Sequence, residues 1–283
     1  MTARILKASG DIFRCQSEGD VFRCRARGNL RLGGISPCAG DFVTVEDNHI
    51  TAILPRKNLL PRPSAANVDL LLAVVSTCEP KPNTAVLDTI TVIAQLSGID
   101  CAIAFTKCDL ASAEPWLSIY KKAGFKCFCA NPNDPNDDLR ALEREIQGKT
   151  VIFAGNTGAG KSTLLNRILP ELGLATGEIS KKLGRGRHTT RQTEFFPVGD
   201  MLLGDSPGFS ALELSAQNID PKELAGGFRE FLPYQGQCKF QDCRHLKEPQ
   251  CAVRAAAEKG EIPLPRYKNY VFFYEECKRA VEW

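Results

Sequence analysis

The chain has 283 residues, of which 43% are hydrophobic and 24% charged, ordinary values for a protein with a packed core. Its longest unbroken apolar run spans residues 70–75, far short of the ~20 residues needed to cross a bilayer. The first residues hold no apolar stretch of the kind found in a signal peptide. These features argue against secretion and membrane insertion and favour the cytoplasm. Twelve cysteines in such a chain then predict free thiols and a metal site rather than a disulfide framework.

The formal net charge of +3 is distributed unevenly along the chain. Residues 1–62 carry ten Lys and Arg against six Asp and Glu, whereas residues 63–214 carry 15 against 17 and residues 215–283 carry 11 against 10. A basic N-terminal region is typical of contact with a polyanion. An arginine-rich surface that is merely solvated explains the same charge equally well.

Short β-prone segments with intervening turns make up the first 62 residues. The segments 12–15, 21–26 and 42–46 alternate with turns that contain Gly or Pro. This spacing predicts a small five-stranded barrel of the oligonucleotide-binding (OB) kind, whose faces often hold nucleic acid. Residues 53–63 (ILPRKNLLPRP) read as a proline-containing linker.

After the linker, strands alternate with helices. Strands are predicted over residues 70–76, 101–106, 125–130 and 151–154, and helices over 85–96, 116–123 and 139–146. This alternation predicts an α/β domain over residues 63–214, in which helices cover both faces of a parallel sheet. From residue 215 onward the pattern indicates a mostly helical region around a Cys/His cluster.

A phosphate-binding loop is predicted between the strand VIFA and the helical segment STLLNRIL. The sequence GNTGAGKST satisfies the pattern G-x-x-x-x-G-K-[ST], in which backbone N–H groups and a helix N-terminus surround phosphate oxygens. Lys161 would reach the β- and γ-phosphates, and the Ser162 hydroxyl would bind Mg²⁺. The predicted nucleotide contacts in this loop are Gly155, Asn156, Thr157, Gly158, Ala159, Gly160, Lys161, Ser162 and Thr163.

A second phosphate-sensing element is predicted about forty residues further on, where DSPG follows the apolar segment MLLG. Asp205 can hold Mg²⁺ through a water molecule, and Gly208 can donate its N–H to a γ-phosphate. A D-x-P-G turn is common on its own. Its position after a phosphate loop is what favours this interpretation.

The sequence TKCD, which closes the apolar strand CAIAF, is predicted to read a guanine base. The Asp109 carboxylate can accept from two guanine donors that adenine lacks, and the Lys107 stem can cover the purine face. GTPases usually have N-K-x-D here, so we expect Thr106 to lose the amide that braces the loop, at a cost in affinity. Cys129 and Ala130 are predicted to supply a backbone N–H to the guanine O6. A charged turn after a strand is the alternative explanation for TKCD.

The order of these motifs differs from that of ordinary GTPases. TKCD and the Cys129–Ala130 segment precede the phosphate loop, which predicts a circularly permuted domain. Permutation leaves a sheet intact because domain termini tend to lie close together on the surface. It also places the DSPG turn at the C-terminal end of the domain.

Cys238, Cys243, His245 and Cys251 are spaced C-x4-C-x-H-x5-C. Three thiolates and an imidazole form a tetrahedral structural zinc set. The spacing is not that of the common zinc fingers, so three unrelated thiols are the alternative. The other cysteines are scattered, and half of them lie in apolar strands where they act as small hydrophobic residues.

Together, these motifs resemble those of the circularly permuted, small-subunit-dependent ribosomal GTPases of bacteria. The resemblance also includes PCAGDFV and GRGRHTT and covers nearly the whole chain. It implies an OB barrel (1–62), a permuted GTPase domain (63–214) and a zinc-binding domain (215–283). It further implies GTP and GDP, Mg²⁺ and one structural Zn²⁺ as cofactors, and GTP hydrolysis stimulated by the small ribosomal subunit during late maturation. The expected partners are that subunit and its rRNA, with no DNA and no membrane, and the chain is expected to be a monomer.

The residues expected to act in hydrolysis come partly from the resemblance and partly from the chemistry of the side chains. It places Thr189 or Thr190 in switch I, and Phe209 occupies the position where many GTPases carry a water-orienting Gln. Because phenylalanine has no hydrogen-bonding group, His188 is the best candidate to position the attacking water, with RNA contact as its alternative role. The competing function is an RNA-docking adaptor that binds nucleotide and rarely cleaves it. Asp109 disfavours an ATPase or kinase.

Overall fold

A computed structural model of the chain describes residues 1–27, 36–134, 137–168, 193–205, 214 and 219–281. The strands are β1 (Thr2–Ser9), β2 (Ile12–Ser17), β3 (Asp20–Ala26), β4 (Phe42–Glu46), β5 (His49–Ile53), β6 (Leu59–Leu60), β7 (Ala65–Ala66), β8 (Leu70–Ser76), β9 (Asp100–Thr106), β10 (Lys126–Cys129), β11 (Thr150–Ala154), β12 (Glu194–Val198) and β13 (Met201–Asp205). The α-helices are α1 (Thr84–Leu96), α2 (Glu114–Lys122), α3 (Leu139–Ile146), α4 (Lys161–Ile168), α5 (Ala252–Glu258) and α6 (Leu264–Val281). Among the described residues, 3-10 helices span Leu224–Gly227 and Arg229–Tyr234.

The first five strands form a closed barrel, which confirms the predicted N-terminal architecture. Their order is β1-β2-β3-β5-β4, and β4 pairs back onto β1. Alternate side chains point inward and exclude water, among them Ile5, Val43 and Ile50. The segment predicted as a linker contributes β6, which pairs with β7 to form a short two-stranded ribbon.

The central sheet has the strand order β10-β9-β8-β11-β13-β12, and its neighbouring strands are parallel except for the antiparallel pair β12–β13. Helices α1 and α2 pack on one face with residues such as Leu71 and Phe105, and α3 and α4 pack on the other with Leu72 and Phe153. Burial on both faces explains the nearly continuous apolar strands. The α/β architecture predicted from the sequence is confirmed.

The barrel and the central sheet are joined edge to edge. Strand β1 pairs with β12 antiparallel, with Lys7 opposite Glu194. The Glu194 carboxylate contacts Lys7 Nζ at 2.7 Å and an Arg14 guanidinium nitrogen at 3.0 Å. Arg4 crosses the same junction and donates to the Thr150 hydroxyl at 2.8 Å.

The C-terminal region is helical and packs against α1. Its anchor is Arg266 on α6, a fully buried side chain. Arg266 contacts Asp88 on α1 and Glu230 on the second 3-10 helix, each at 2.6 Å. Tyr120 donates its hydroxyl to the same Asp88 carboxylate at 2.7 Å. Within the described residues, no helix is both long enough and apolar enough to cross a membrane.

Candidate nucleotide-binding site and metal centre

The predicted nucleotide-binding loops meet at one edge of the central sheet. Strands β9, β8, β11 and β13 are neighbours, and all four run in the same direction. Their carboxyl ends therefore lie side by side, which is where ligands bind in open α/β sheets. TKCD follows β9, the phosphate loop follows β11, and Asp205 is the last residue of β13.

The phosphate loop has the backbone conformation of an anion cradle. Gly155, Gly158 and Gly160 all have positive φ angles, of 143°, 80° and 85°. A Cβ atom on Gly155 would lie 2.1 Å from the Val74 carbonyl oxygen, so only glycine fits against β8. Helix α4 begins at Lys161, directly after the loop, and its N-terminus therefore favours bound anions.

The Lys161 side chain folds back over the loop. Its ammonium group donates to the carbonyl oxygens of Gly155 at 2.7 Å and Asn156 at 3.0 Å. These bonds hold a positive charge above the cradle, where it can pair with phosphate oxygens. Ser162 occupies the second position of α4.

Thr106 braces the phosphate loop, so the expectation that this position loses the brace is wrong. The Thr106 hydroxyl donates to the Ala159 carbonyl oxygen at 2.6 Å. A Cβ on Gly160 would lie only 3.1 Å from the same hydroxyl oxygen. The two loops are thus packed and hydrogen-bonded together. The sequence interpretation failed because the acceptor lies 53 residues away in the chain.

The segment that follows β8 supports both loops and was missed in the sequence. Thr77 donates its hydroxyl to the Lys107 carbonyl oxygen at 2.7 Å, while Lys107 itself has a left-handed φ of 58°. The Lys107 ammonium donates to the Glu79 carbonyl oxygen, and Pro80 lies 3.6 Å from the Cβ position of Gly158. The signal available in the sequence was the position of this segment at the end of a central strand, next to the phosphate loop.

Asp109 and Cys129 line one open depression of about 480 Å³, together with Cys108 and Glu114. The exposed carboxylate of Asp109 can accept from a base that enters this depression. The two residues predicted to read the base are therefore brought together by neighbouring strands β9 and β10.

The backbone N–H groups proposed for the guanine O6 already have acceptors within the protein. Cys129 N–H donates to an Asp138 carboxylate oxygen at 2.8 Å, and Ala130 N–H donates to the Phe105 carbonyl at 2.8 Å. In this conformation neither group is available to a base, which corrects the sequence expectation.

One predicted magnesium ligand, Ser162, lies in α4 directly after the phosphate loop, and the other, Asp205, ends β13, the neighbour of β11. Asp205 pairs with Phe153, immediately before the phosphate loop, so its backbone lies beside the start of that loop. The other residues predicted to act on the γ-phosphate or on the attacking water lie outside the described residues; they are His188, Thr189, Thr190 and Gly208.

The Cys/His cluster has the dimensions of a tetrahedral zinc site. All four ligand atoms of Cys238, Cys243, His245 and Cys251 lie within 4.8 Å of one another. His245 Nδ1 is 3.5 Å from the Cys238 sulfur and 3.4 Å from the Cys251 sulfur, and these two sulfurs are 3.9 Å apart. A tetrahedral Zn²⁺ requires about 3.6 Å for nitrogen to sulfur and about 3.8 Å for sulfur to sulfur. The donor set therefore fits zinc, and three unrelated thiols would not converge in this way.

Surrounding hydrogen bonds hold the cluster in place. The N–H groups of Ala252 and Arg254 each donate to a cluster sulfur at 3.4 Å, which favours thiolate ligands. Glu248 accepts from three backbone N–H groups of the loop between the ligands. Burial opposes its charge, but these bonds outweigh burial and lower the pKa of Glu248. Tyr267 on α6 donates to the His245 carbonyl oxygen at 2.9 Å and ties the cluster to the last helix.

The phosphate loop lies at the carboxyl edge of a parallel sheet. The loop predicted to read the base comes before it in the chain and is hydrogen-bonded to it. These features define a circularly permuted P-loop nucleotide-binding protein. The family model described as RsgA GTPase matches residues 53–215, and the RsgA N-terminal domain matches residues 2–52. The chain belongs to the RsgA GTPase family. It is therefore a GTP hydrolase, with GTP and GDP as its nucleotides and Mg²⁺ as their accompanying ion.

Similar proteins cover almost the whole chain. The small ribosomal subunit biogenesis GTPase RsgA of Latilactobacillus sakei subsp. sakei (strain 23K) is 40% identical over 98% of this chain and 96% of its own length. RsgA 1 of Listeria monocytogenes serotype 4b (strain F2365) is 39% identical over 98% of both.

Two solved structures have the same fold. The crystal structure of YloQ, a circularly permuted GTPase, is 33% identical with a TM-score of 0.77, and covers 98% of this chain and 95% of its own. YjeQ from Thermotoga maritima is 29% identical with a TM-score of 0.78 and covers 98% of both chains.

Proposed function

We propose that this GTPase binds the small ribosomal subunit and hydrolyses GTP during late maturation of that subunit, and that the subunit stimulates hydrolysis. The observation that carries the proposal is the braced pair of nucleotide loops, in a chain about as long as relatives named for small-subunit biogenesis. The intact Lys161 and Ser162 favour an enzyme over an adaptor that only binds nucleotide. We also propose a cytoplasmic location, because the small ribosomal subunit of bacteria matures in the cytoplasm. A monomeric state and the lack of a DNA partner are further parts of the proposal.

Each of the three regions of the chain would have a separate role. Residues 1–62 would form the RNA-contacting barrel, residues 63–214 the permuted GTPase domain and residues 215–283 the zinc-binding domain. Arg23, Arg25 and Arg27 are exposed at alternate positions on and just after β3, and Arg31, which belongs to the same predicted RNA surface, lies outside the described residues. Such a cluster of guanidinium groups attracts rRNA phosphates, and binding through it would weaken steeply as salt rises.

Within the GTPase domain, the phosphate loop would hold the β- and γ-phosphates, and Ser162 and Asp205 would hold Mg²⁺. Asp109 would read guanine. Asp109→Asn would then shift preference from guanosine toward xanthosine nucleotides, because an amide can donate to the xanthine O2. If this variant keeps wild-type GTP affinity and gains none for xanthosine triphosphate, Asp109 does not read the base.

His188 would position the attacking water, with Thr189 or Thr190 in switch I. His188→Ala should then remove most subunit-stimulated turnover while GTP affinity and subunit binding in the GTP state stay intact. Normal stimulated turnover by this variant would rule out the catalytic role and leave RNA contact as the explanation.

The Cys/His cluster would hold one structural Zn²⁺. Zinc bound by four protein ligands has no open position for a substrate, so its contribution would be to fix the fold around residues 238–251. Three thiolates and the neutral imidazole of His245 would supply the ligands.

The deciding experiment for the function measures phosphate release from GTP with purified small subunits, with large subunits and with neither. Strong stimulation by small subunits alone supports the proposal. Equal slow release under all three conditions, combined with GTP-dependent subunit binding, would favour the RNA-docking adaptor. A Lys161→Ala variant controls for contaminating phosphatases, since it removes the phosphate-binding ammonium.

A further inference from the structure

Two thiols face each other inside the N-terminal barrel. Cys15 on β2 and Cys24 on β3 have their sulfur atoms 3.1 Å apart, and their side chains are 0% and 4% exposed. Neither residue belongs to the nucleotide site or the Cys/His cluster. We propose that Cys15 and Cys24 form a reversible dithiol–disulfide site that is oxidised by peroxide or by a small-molecule disulfide. Its oxidation would weaken the binding of the barrel to ribosomal RNA. The second part rests on the proposed function.

The hairpin geometry places the two sulfurs within easy reach of a bond. Phe13 is opposite Cys24 and Cys15 is opposite Phe22, so the cysteines are diagonal neighbours on the inner face of one hairpin. A disulfide has a sulfur–sulfur distance of about 2.05 Å, so the two atoms need to approach by only about 1 Å. The hairpin turn at Glu18 and Gly19, both with positive φ, fixes the register that holds the thiols together.

The hydrogen bond between the thiols gives them different roles. That bond lowers the pKa of Cys24 and raises the pKa of Cys15, which burial raises further. Of the two, Cys24 is therefore the thiol that loses its proton more readily, and Cys15 can donate a hydrogen bond to it. A thiol that can ionise beside a resolving thiol is the arrangement that reacts with an oxidant and then closes to a disulfide. Because both cysteines are buried, the oxidant would reach them during local opening of the hairpin.

The chemistry balances with one peroxide. The Cys24 thiolate attacks a peroxide oxygen, the O–O bond breaks, and the products are a sulfenic acid and hydroxide, which takes up a proton to become water. The Cys15 sulfur then attacks the sulfenic sulfur, the S–S bond forms, and the S–O bond breaks as a second water leaves with the Cys15 proton. Two electrons pass from the thiols to the peroxide. A thiol reductant reverses the change by exchange.

Oxidation on the inner face of these two strands would change the positions of the side chains on their outer face. Neighbouring residues on a strand point to opposite sides, so Arg14 lies beside Cys15 but faces outward, and Arg23 and Arg25 flank Cys24. Drawing the sulfurs together changes the twist of the hairpin and the spacing of these guanidinium groups. Arg14 contacts Glu194 at the junction with the central sheet, so the phosphate contacts that would depend on this spacing are those of Arg23 and Arg25.

The first experiment maps the bond in the full, zinc-loaded chain. The protein is treated with dilute hydrogen peroxide, or separately with oxidised glutathione, then alkylated and digested without reductant. We expect a crosslinked peptide pair containing Cys15 and Cys24, with a mass loss of about 2 Da that dithiothreitol reverses. Zinc release is monitored so that oxidation of the Cys/His cluster is detected separately. Alkylation of both Cys15 and Cys24 after treatment, while other cysteines are oxidised, would overturn the proposal.

The second experiment tests the consequence for RNA. Reduced and oxidised protein are compared for co-sedimentation with small subunits, and we expect oxidation to weaken binding at least ~3-fold while GTP affinity is unchanged. Cys15→Ala should bind subunits equally under both conditions, and Cys24→Ala repeats the test if that variant folds poorly. Cys277→Ala, which removes a buried thiol on α6, should respond to oxidation like wild type.

The outcomes separate this proposal from the proposed function. Equal binding by reduced and oxidised wild-type protein would refute the effect on RNA and leave subunit binding itself established. Failure of reduced protein to bind small subunits would refute the proposed function, and the crosslink map would still decide whether the dithiol site exists.

Discussion

Thr106 joins the base-reading loop to the phosphate loop through a single hydroxyl group. It donates to the Ala159 carbonyl oxygen at 2.6 Å, and the Thr106 side chain is itself buried. A buried carbonyl that loses its donor costs about 1–3 kcal/mol. This bond holds the two loops together in addition to the contacts of the segment after β8, so we expect Thr106 to act as a positioning residue for the nucleotide.

Thr106→Val should weaken GTP binding by roughly tenfold, because valine keeps the shape of the side chain and removes the donor. Equilibrium titration with a fluorescent GTP analogue measures the change. Thr106→Ser is the matched control, since it retains the hydroxyl, and it should bind within about twofold of wild type. A valine variant with wild-type affinity would show that the loops hold their positions without the bond.

Motifs at this scale were predictable where the chemistry is local. The glycines and Lys161 of the phosphate loop act within a few residues of one another, so their spacing alone identifies them. Thr106 was misjudged because its partner, Ala159, lies in the phosphate loop, 53 residues away in the chain. The N–H groups of Cys129 and Ala130 were misjudged because their acceptors, Asp138 just before α3 and Phe105 on β9, become their neighbours only in the folded chain.

Elements with strong periodicity were predicted well, and those completed by a distant partner were not. Helix α3 begins and ends at the predicted residues. Strand β12 was not predicted, in part because it contains Pro197, a residue that usually argues against a strand. On the side away from β13, β12 pairs with β1 of the barrel at Glu194. In the described residues, the edge at Pro197 is therefore not paired with β1, so the missing N–H of proline costs no bond there. Only the assembled molecule shows that the barrel supplies this partner.

The loop that carries the Cys/His cluster should depend on its metal. The four ligands lie between residues 238 and 251, and that stretch contains neither a strand nor an α-helix. We expect about one zinc per chain by elemental analysis, since four protein ligands close the coordination shell. Cys243→Ser should lose most of this zinc and loosen the C-terminal region while GTP affinity is retained. Cys277→Ala is the control, and it should retain the metal. Metal-free wild-type protein, purified without chelator, would contradict the assignment.

At the scale of the whole molecule, one buried cation within a shared apolar core links the C-terminal region to the GTPase domain. Arg266 contacts Asp88 and Glu230, and its guanidinium also donates to Thr91 at 2.8 Å. Asn269, one helical turn further along α6, donates to the other Asp88 oxygen at 2.7 Å. The contacts span some 180 residues of sequence, so no local pattern could have predicted them.

Arg266→Met should destabilise the protein by about 3–5 kcal/mol, because it leaves two buried carboxylates without their cation. Urea unfolding measures the loss, and limited proteolysis should cut the C-terminal region first. The control is Arg254→Ala, which breaks a more exposed pair with Glu258 at 3.5 Å and should cost at most about 1 kcal/mol. Similar losses for the two variants would mean that Arg266 does not hold the domains together.

The destabilisation caused by Arg266→Met should also depend on pH. Burial raises the pKa of Asp88, and Arg266 opposes that rise in the wild-type protein. Without Arg266 the pKa of Asp88 must rise further, so the folded variant binds a proton that the unfolded chain releases. A group whose pKa is higher in the folded state supports folding at low pH and loses that contribution as pH rises.

The difference in unfolding free energy between wild type and the Arg266→Met variant should therefore narrow from pH 8 toward pH 5. Urea titrations of both proteins over this range measure the difference. A difference that stays constant over this range would show that Asp88 remains charged without its partner. Asp88→Asn in the Arg266→Met background should remove much of the pH dependence, which distinguishes Asp88 from the other acidic groups.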